Sequence, residues 1–261
     1  MAIVTLKELL DSGIHFGTSS SLWHPRMAPY LFGKRGGIHI VDIRQTARQI
    51  IHAHYYVAKL AKANKTILFV GTKRQAKDVV REAAKACGMP FVAERWLGGT
   101  LTNFETVRTS IRRLDDIETR MSTAEYLRVS KKMQARDGRE RRRILRNLEG
   151  VRTMSKLPDA LFVVDPKHEQ TAIDEARRLG IPLLGLVDSD TDPTLVDLPI
   201  PGNDDGIRSI QLVVKALVDG IAKGRSEQVT RVEQPVEAVA VAAAPAAPTS
   251  HAVGPAFPVK A

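Results

Sequence analysis

Two stretches of this chain repeat one grammar, and that repetition limits the folds open to it. Thr66-Ile67-Leu68-Phe69-Val70 is a short apolar run that breaks at Gly71-Thr72-Lys73-Arg74 and gives way to a helical pattern through Ala86. Ala160-Leu161-Phe162-Val163-Val164 breaks at Asp165-Pro166-Lys167 and gives way to a helical pattern from Glu169 to Leu179. Each unit then stops on Gly and Pro, at Cys87-Gly88-Met89-Pro90 and at Gly180-Ile181-Pro182, as helices commonly end. Beyond the stops come further apolar runs, Phe91-Val92 and Leu183-Leu184-Gly185-Leu186-Val187. Strands that are apolar along their whole length, not at alternate residues, must be covered on both faces. That implies an α/β domain with a parallel sheet between helical layers.

Around these units the rest of the chain falls into place. Thr5-Leu6-Lys7-Glu8 matches a capping box, predicting a short helix that stops at Gly13. Asp42 is placed to cap a long helix reaching about Ala63, and a last helix is expected from about Gly206 to Ala222. Between the two units lies an insert. Phe104, Val107, Ile111, Leu114, Ile117 and Met121 step by three or four, and Ile144, Leu148 and Val151 do the same on a return limb. The seam is narrow, so the spacing predicts a projecting antiparallel pair of helices with coiled-coil character. Residues 1–104 and 157–224 would form one discontinuous α/β domain, 105–156 the hairpin, and 225–261 a disordered tail rich in Ala and Pro.

Charge is one-sided. The formal net charge is +10. From Arg225 onward three cations face three acids, so the excess belongs to the first 224 residues. Within 105–156 there are fifteen Lys and Arg against eight Asp and Glu. Such an excess suits phosphate backbones or an anionic surface. On the hairpin, the same charges could equally be a solvated face, and Arg108, Arg112, Arg113, Lys131, Lys132, Arg141 and Arg142 are the candidates for phosphate contact.

Two further stretches read either as surfaces for RNA or as ordinary structure. Between His15 and Asp42, aromatics, histidines, glycines and cations are interleaved without a period. Trp23, His24, Arg26, Lys34 and Arg35 could stack on bases and meet phosphates. Equally, this is a hairpin turned at Lys34-Arg35-Gly36-Gly37 with Trp23 and Phe32 as core plugs. The junction Arg95-Trp96-Leu97-Gly98-Gly99-Thr100-Leu101-Thr102-Asn103-Phe104 joins the α/β grammar to the basic insert. Its glycines could let the backbone approach a partner, with Arg95, Trp96, Thr100 and Asn103 in contact. The other reading is a Gly-rich turn with a core Trp and an Asn cap.

Catalytic signatures are wanting. Gly71-Thr72-Lys73 follows a strand, but neither G-x-G-x-x-G nor G-x-x-x-x-G-K-[ST] is present. Asp188-Ser189-Asp190-Thr191-Asp192 opens like a calcium loop, yet Pro193 and Pro199 stand where Gly and Glu are required. Those aspartates would still lie at a strand's carboxyl end, where a magnesium or substrate role stays open. No His, Cys or carboxylate set has zinc spacing, so no metal or cofactor is expected. The single Cys87 excludes an internal disulfide and reads as a small buried hydrophobe. No apolar run is long enough to span a bilayer and no export signal is visible, so a soluble, cytoplasmic protein is expected.

Several collinear blocks carry a family resemblance: Leu9 to Gly17, Pro29-Tyr30-Leu31-Phe32-Gly33 with Gly37-Ile38-His39-Ile40, Ile67 to Lys73, Arg95 to Phe104, Leu157-Pro158-Asp159, and Ile200 to Asp205 with Ile207-Arg208-Ser209-Ile210. From about residue 5 to 222 the chain resembles the bacterial small-subunit ribosomal protein S-two family. The resemblance implies a flavodoxin-like parallel sheet with a protruding helical hairpin, rRNA and neighbouring ribosomal proteins as partners, and a part in holding the mRNA-binding protein S-one. It implies no catalysis and no small-molecule substrate. Lys73, Arg74, Gly98, Gly99, Asn203 and Arg208 join the candidate RNA contacts, with Asn203 to Arg208 alternatively capping the last helix. The alternative is a doubly wound enzyme binding a phosphorylated ligand or nucleotide at Gly71 to Arg74 and the aspartates near 188.

Overall fold

The computed structural model describes residues 3–123, 126 and 128–233, with the backbone alone for 229–233. Its centre is a five-stranded parallel sheet made of β4 (Ile67–Val70), β5 (Phe91–Val92), β6 (Ala160–Val164), β7 (Leu183–Val187) and β8 (Leu198–Pro201). The order across it is β5-β4-β6-β7-β8. Counted within the sheet this is 2-1-3-4-5, the doubly wound order of flavodoxin-like proteins, whose switch point lies between the first and third strands. The sequence patterns of β4, β6 and β7 translate directly into burial, with every residue of each strand buried.

Alternation along the strands divides the core in two. Ile67, Phe69, Ala160, Phe162 and Val164 face one helical layer, while Leu68, Val70, Leu161 and Val163 face the other. Phe69 and Phe162 meet edge to face with ring centroids 5.6 Å apart. The first layer comprises α1 (Leu6–Ser12), α2 (Ile43–Lys62), α3 (Lys77–Cys87) and α7 (Ile207–Glu233). Thr5 and Glu8 form the capping box, Gly13 ends α1 in the left-handed region, and Asp42 caps α2 by accepting from the Arg44 N–H at 2.9 Å. α6 (Gln170–Arg178) lies on the opposite face.

Helices α2 and α7 approach closely at two glycines of α7. A Cβ added at Gly224 would stand 2.2 Å from the Ala58 carbonyl oxygen, and one at Gly220 would stand 2.7 Å from that of His54. Gly-to-Ala in a helix interior normally gains about 1 kcal/mol. Here the backbone clash outweighs it, because overpacking costs about 1–3 kcal/mol. Gly224→Ala is therefore expected to lower the denaturant midpoint.

One expectation changes and two elements are added. Leu198-Pro199-Ile200-Pro201 forms an edge strand beyond the two strand–helix units; its prolines pair with Gly185 and Val187 in register. An edge tolerates Pro because the missing N–H need only be on the unpaired side. The last helix does not stop near Ala222 but runs to Glu233, so the expected tail boundary at 225 falls inside α7. The remainder of that tail, 234–261, lies outside the described residues. Finally, the hairpin expected to turn at Lys34 to Gly37 is found as β2 (Leu31–Arg35) and β3 (Ile38–Val41), and β1 (Phe16–Ser19) joins them in a separate antiparallel sheet in the order β1-β3-β2.

Between β5 and β6 the chain leaves the sheet as α4 (Phe104–Ser122) and returns as α5 (Lys131–Leu148). Ile111, Leu148 and Val151 anchor the base of this pair in the second core, and Leu114 and Ile117 are buried farther out. Outward from there α5 contributes a buried acid, Asp137, beside Tyr126 and Arg120. Ion pairs Arg113–Glu140 at 2.6 Å and Glu118–Arg141 at 2.9 Å join the two helices, which run in opposite directions.

Candidate nucleic-acid interface

The junction is built around a carboxylate that the sequence does not advertise. Glu175, on α6 and only 6% exposed, receives five hydrogen bonds from residues 96–102. Oε1 accepts from Trp96 Nε1 at 3.0 Å and from the Gly99 N–H at 2.8 Å. Oε2 accepts from the Leu101 and Thr102 N–H groups at 2.9 and 3.1 Å and from the Thr102 hydroxyl at 3.2 Å. Burial pushes the carboxyl up, but the hydrogen bonds from Trp96, Thr102, Leu101 and Gly99 outweigh it and hold Glu175 below the usual range. Gly99 reaches this geometry at φ +88°, where other residues are strained.

This corrects the reading of the junction as a contact surface. Trp96 is 8% exposed and Thr100 2%, so neither side chain can stack on or bond to RNA. The Gly99 N–H is spent on Glu175, whereas Gly98 is exposed with no neighbour of this chain within 4 Å of a Cβ position. Asn103 occupies the cap position of α4 without a side-chain bond to the backbone; its Oδ1 accepts from the Thr106 hydroxyl instead. Arg95 alone of the junction's side chains offers an exposed cation.

The switch-point crevice is filled from within. Gly71 at the end of β4 leaves no room for a Cβ, which would meet Val80 Cγ2 at 2.9 Å. Thr72 donates its N–H and hydroxyl to the buried Glu169. Lys73 Nζ lies 2.6 Å from Asp204 Oδ1, 2.6 Å from Asp205 Oδ1 and 3.2 Å from Asp165 Oδ2. Burial lowers the Lys73 pKa, but these carboxylates more than reverse that and raise it. One ammonium cannot neutralise all of its neighbours. Burial, then Asp165 and Asp188, push Asp204 up to about 8 against the pull of Lys73, and burial pushes Asp188 up to about 6. Lys73 is thus not available to RNA, whereas Arg74 beside it is exposed. Asn203 is half-buried, and its Oδ1 accepts from the Asp205 and Gly206 N–H groups at 2.8 and 3.0 Å. Arg208, in the first turn of α7, is exposed.

Asp190 pairs with Lys167 at 2.8 Å and Asp192 with Arg26 at 2.6 Å. Among the described residues no three His, Cys, Asp or Glu side chains converge as metal ligands would. Arg26 thereby ties the N-terminal segment to the sheet domain, helped by the His24 N–H, which donates to the Ser189 carbonyl at 2.8 Å, while His24 Nδ1 accepts from the Arg26 N–H.

Beyond that tether the small antiparallel sheet is open. Phe32 is 80% exposed and Trp23 37%, so neither is a core plug; Met27 fills that place. Trp23 leans on His39 with ring centroids 5.1 Å apart, and His39 pairs in register with Lys34 across the strands. From Ser12 to Val41 there is no Asp or Glu. Lys34 and Arg35 are exposed, and the chain turns at Gly36 and Gly37 with φ +59° and +80°. On the helix pair, Arg112, Lys131, Lys132 and Arg142 are exposed and Arg108 is half-buried, while Arg113 and Arg141 are engaged with Glu140 and Glu118.

The family model for ribosomal protein S2 matches residues 9–224, most of the chain. The chain belongs to the ribosomal protein S2 family. Among S2 relatives, the small ribosomal subunit protein uS2 of Rhodopirellula baltica is 49% identical over 243 residues, covering 93% of this chain and 94% of that protein. The uS2c protein of Emiliania huxleyi is 45% identical over 86% of this chain and 98% of its own length. The uS2 of Acidobacterium capsulatum is 46% identical over 86% of this chain and 74% of its own. An S2 member with this sheet keeps the scaffold of a nucleotide-binding fold and uses its switch point for internal ion pairing. Among the described residues no helix is long and apolar enough to cross a membrane.

Proposed function

We propose that this chain is a structural, non-catalytic constituent of the small ribosomal subunit that binds its rRNA, in the cytoplasm of a bacterium. The observation that carries this reading is the division of its charge. The cation at the switch point is spent on Asp165, Asp204 and Asp205, while cations with no such partner among the described residues stand on the small sheet and on the helix pair. An enzyme for phosphorylated ligands needs the reverse arrangement.

In this reading the acid-free sheet of β1 to β3 presents Trp23 and Phe32 for stacking, with Lys34 and Arg35 on phosphates. Arg74, Arg95 and Arg208 add single phosphate contacts, and α4 with α5 works as a projecting coiled-coil arm. A role in seating the protein S-one belongs to the same proposal and follows from the family resemblance.

Purified protein mixed with small-subunit rRNA tests it. Neutralising six to ten phosphates would weaken binding roughly 10³- to 10⁵-fold between about 50 and 200 mM salt. Ultraviolet crosslinks are expected from the Trp23–Arg35 segment and from the arm. Salt-insensitive binding, or a melting temperature raised by a nucleoside triphosphate instead of RNA, would overturn the proposal.

A further inference from the structure

The two sides of the arm treat arginine differently. On one, Arg141 meets Glu118, and Arg152 meets both Asp115 and Glu118. On the other, a groove of about 370 Å³ is lined by Arg113, Arg136, Arg139, Glu140 and Arg143. The single acid there is taken: Glu140 Oε1 lies 2.6 Å from Arg113 Nε. Arg136, Arg139 and Arg143 have no carboxylate within ion-pair distance among the described residues. They stand at i, i+3 and i+7 of α5, on one helix face, where like charges three and four apart destabilise a helix by about 0.2–0.5 kcal/mol per pair. A chain that pairs its arginines on one side and leaves three together on the other has an anion-shaped vacancy in its charge pattern.

The surroundings say which anion. Lys132, one turn before Arg136, extends the stripe to twelve residues of helix, about 16 Å from first to last. That length suits a track of phosphates better than one small anion. α5 contains no aromatic residue, so it has nothing on which an unpaired base could stack. We infer that the Arg136–Arg139–Arg143 face of α5 is a docking track for the phosphate backbone of a base-paired RNA segment, read without regard to its sequence. The inference rests on the rRNA-binding reading above, and it moves the arm's contact from Arg141 to this opposite face.

The test compares three full-length variants for binding to small-subunit rRNA over a series of salt concentrations. Arg136→Gln/Arg139→Gln/Arg143→Gln removes the track. Arg136→Lys/Arg139→Lys/Arg143→Lys keeps its charge. Arg44→Gln/Arg48→Gln/Lys59→Gln removes the same charge from exposed positions on α2. Each phosphate contact contributes about 0.7–0.9 to the slope of log K against log salt. The first variant should flatten the slope by about 2–3, with helix content unchanged, since Gln is a good helix former. The other two should keep the parent slope.

Parent binding with equal slopes for the first and third variants would overturn the track and leave rRNA binding standing. Loss of a neighbouring subunit protein from the first variant, with naked-RNA binding unchanged, would also overturn it, because the track would then face an acidic protein. If the parent chain bound no rRNA at any salt, the function proposed above would fall first, and the track with it.

Discussion

Replacing Glu175 by Ala should remove about 3–5 kcal/mol of stability, a large share of the roughly 5–15 kcal/mol that holds a domain folded. The reason is the number of donors left behind. Trp96 Nε1 and the Leu101 N–H are buried where water does not replace the lost oxygen, and each orphaned donor costs about 1–3 kcal/mol. The Gly99 and Thr102 N–H groups are closer to solvent and add less. Glu175→Gln keeps one acceptor but turns an NH2 toward donors, so it should fall between parent and Ala.

The effect carries a pH signature. Glu175 has a folded pKa below its unfolded value, so its stabilisation is complete above about pH 4.3 and is lost as pH falls through the folded pKa. Chemical denaturation at pH 7 should show the full deficit of Glu175→Ala, and the gap from parent should close in acid. Trp96 reports the cause directly, since its indole loses its hydrogen bond and the near-ultraviolet circular dichroism should change with it. Because α4 starts at Phe104, directly after this loop, a loosened junction also loosens the first turn of α4.

Local pattern and long-range pairing divided what could be read in this chain. β6 and β7 lie where their apolar runs begin and end, because full burial leaves no other pattern for those residues to follow. The caps of α1 and α2 were equally plain, since Thr5, Glu8 and Asp42 act on their own neighbours. β8 was hidden because Leu-Pro-Ile-Pro carries the residues of a loop, and only its place at the sheet edge makes it a strand. Glu175 was hidden for a different reason: on α6 it looks like one more polar position, and its partners stand more than seventy residues earlier. The same distance concealed the commitment of Lys73 to Asp204. Trp23 and Trp96 sit beside comparable glycines and cations in the sequence, yet one is exposed and the other is walled in, a difference set wholly by what folds over each.

Lys73→Met is expected to destabilise the protein by about 3–5 kcal/mol near pH 10, where Asp204 is ionised in the parent, because it leaves that buried carboxylate facing Asp165 and Asp188 without the Lys73 ammonium. At pH 5 the loss should shrink to about 1–2 kcal/mol, since a carboxyl that cannot stay charged takes up a proton instead. The sign follows from the raised pKa of Asp204. An acid with a folded pKa above its unfolded one supports the fold below the unfolded value and loses that support as pH rises through the folded one. Parent stability should therefore decline between about pH 4 and 8 through this cluster, and Lys73→Met should carry the decline on above pH 8, since without the ammonium Asp204 holds its proton longer. Adding Asp204→Asn should restore much of the loss, which a double-mutant cycle over pH would record. A lysine kept for a phosphorylated ligand would behave in the opposite way: its removal would abolish ligand binding and relieve no buried charge, leaving stability nearly flat with pH. The slope of stability against pH at this one residue thus separates a sheet whose switch point has become structural from one that still works on a substrate.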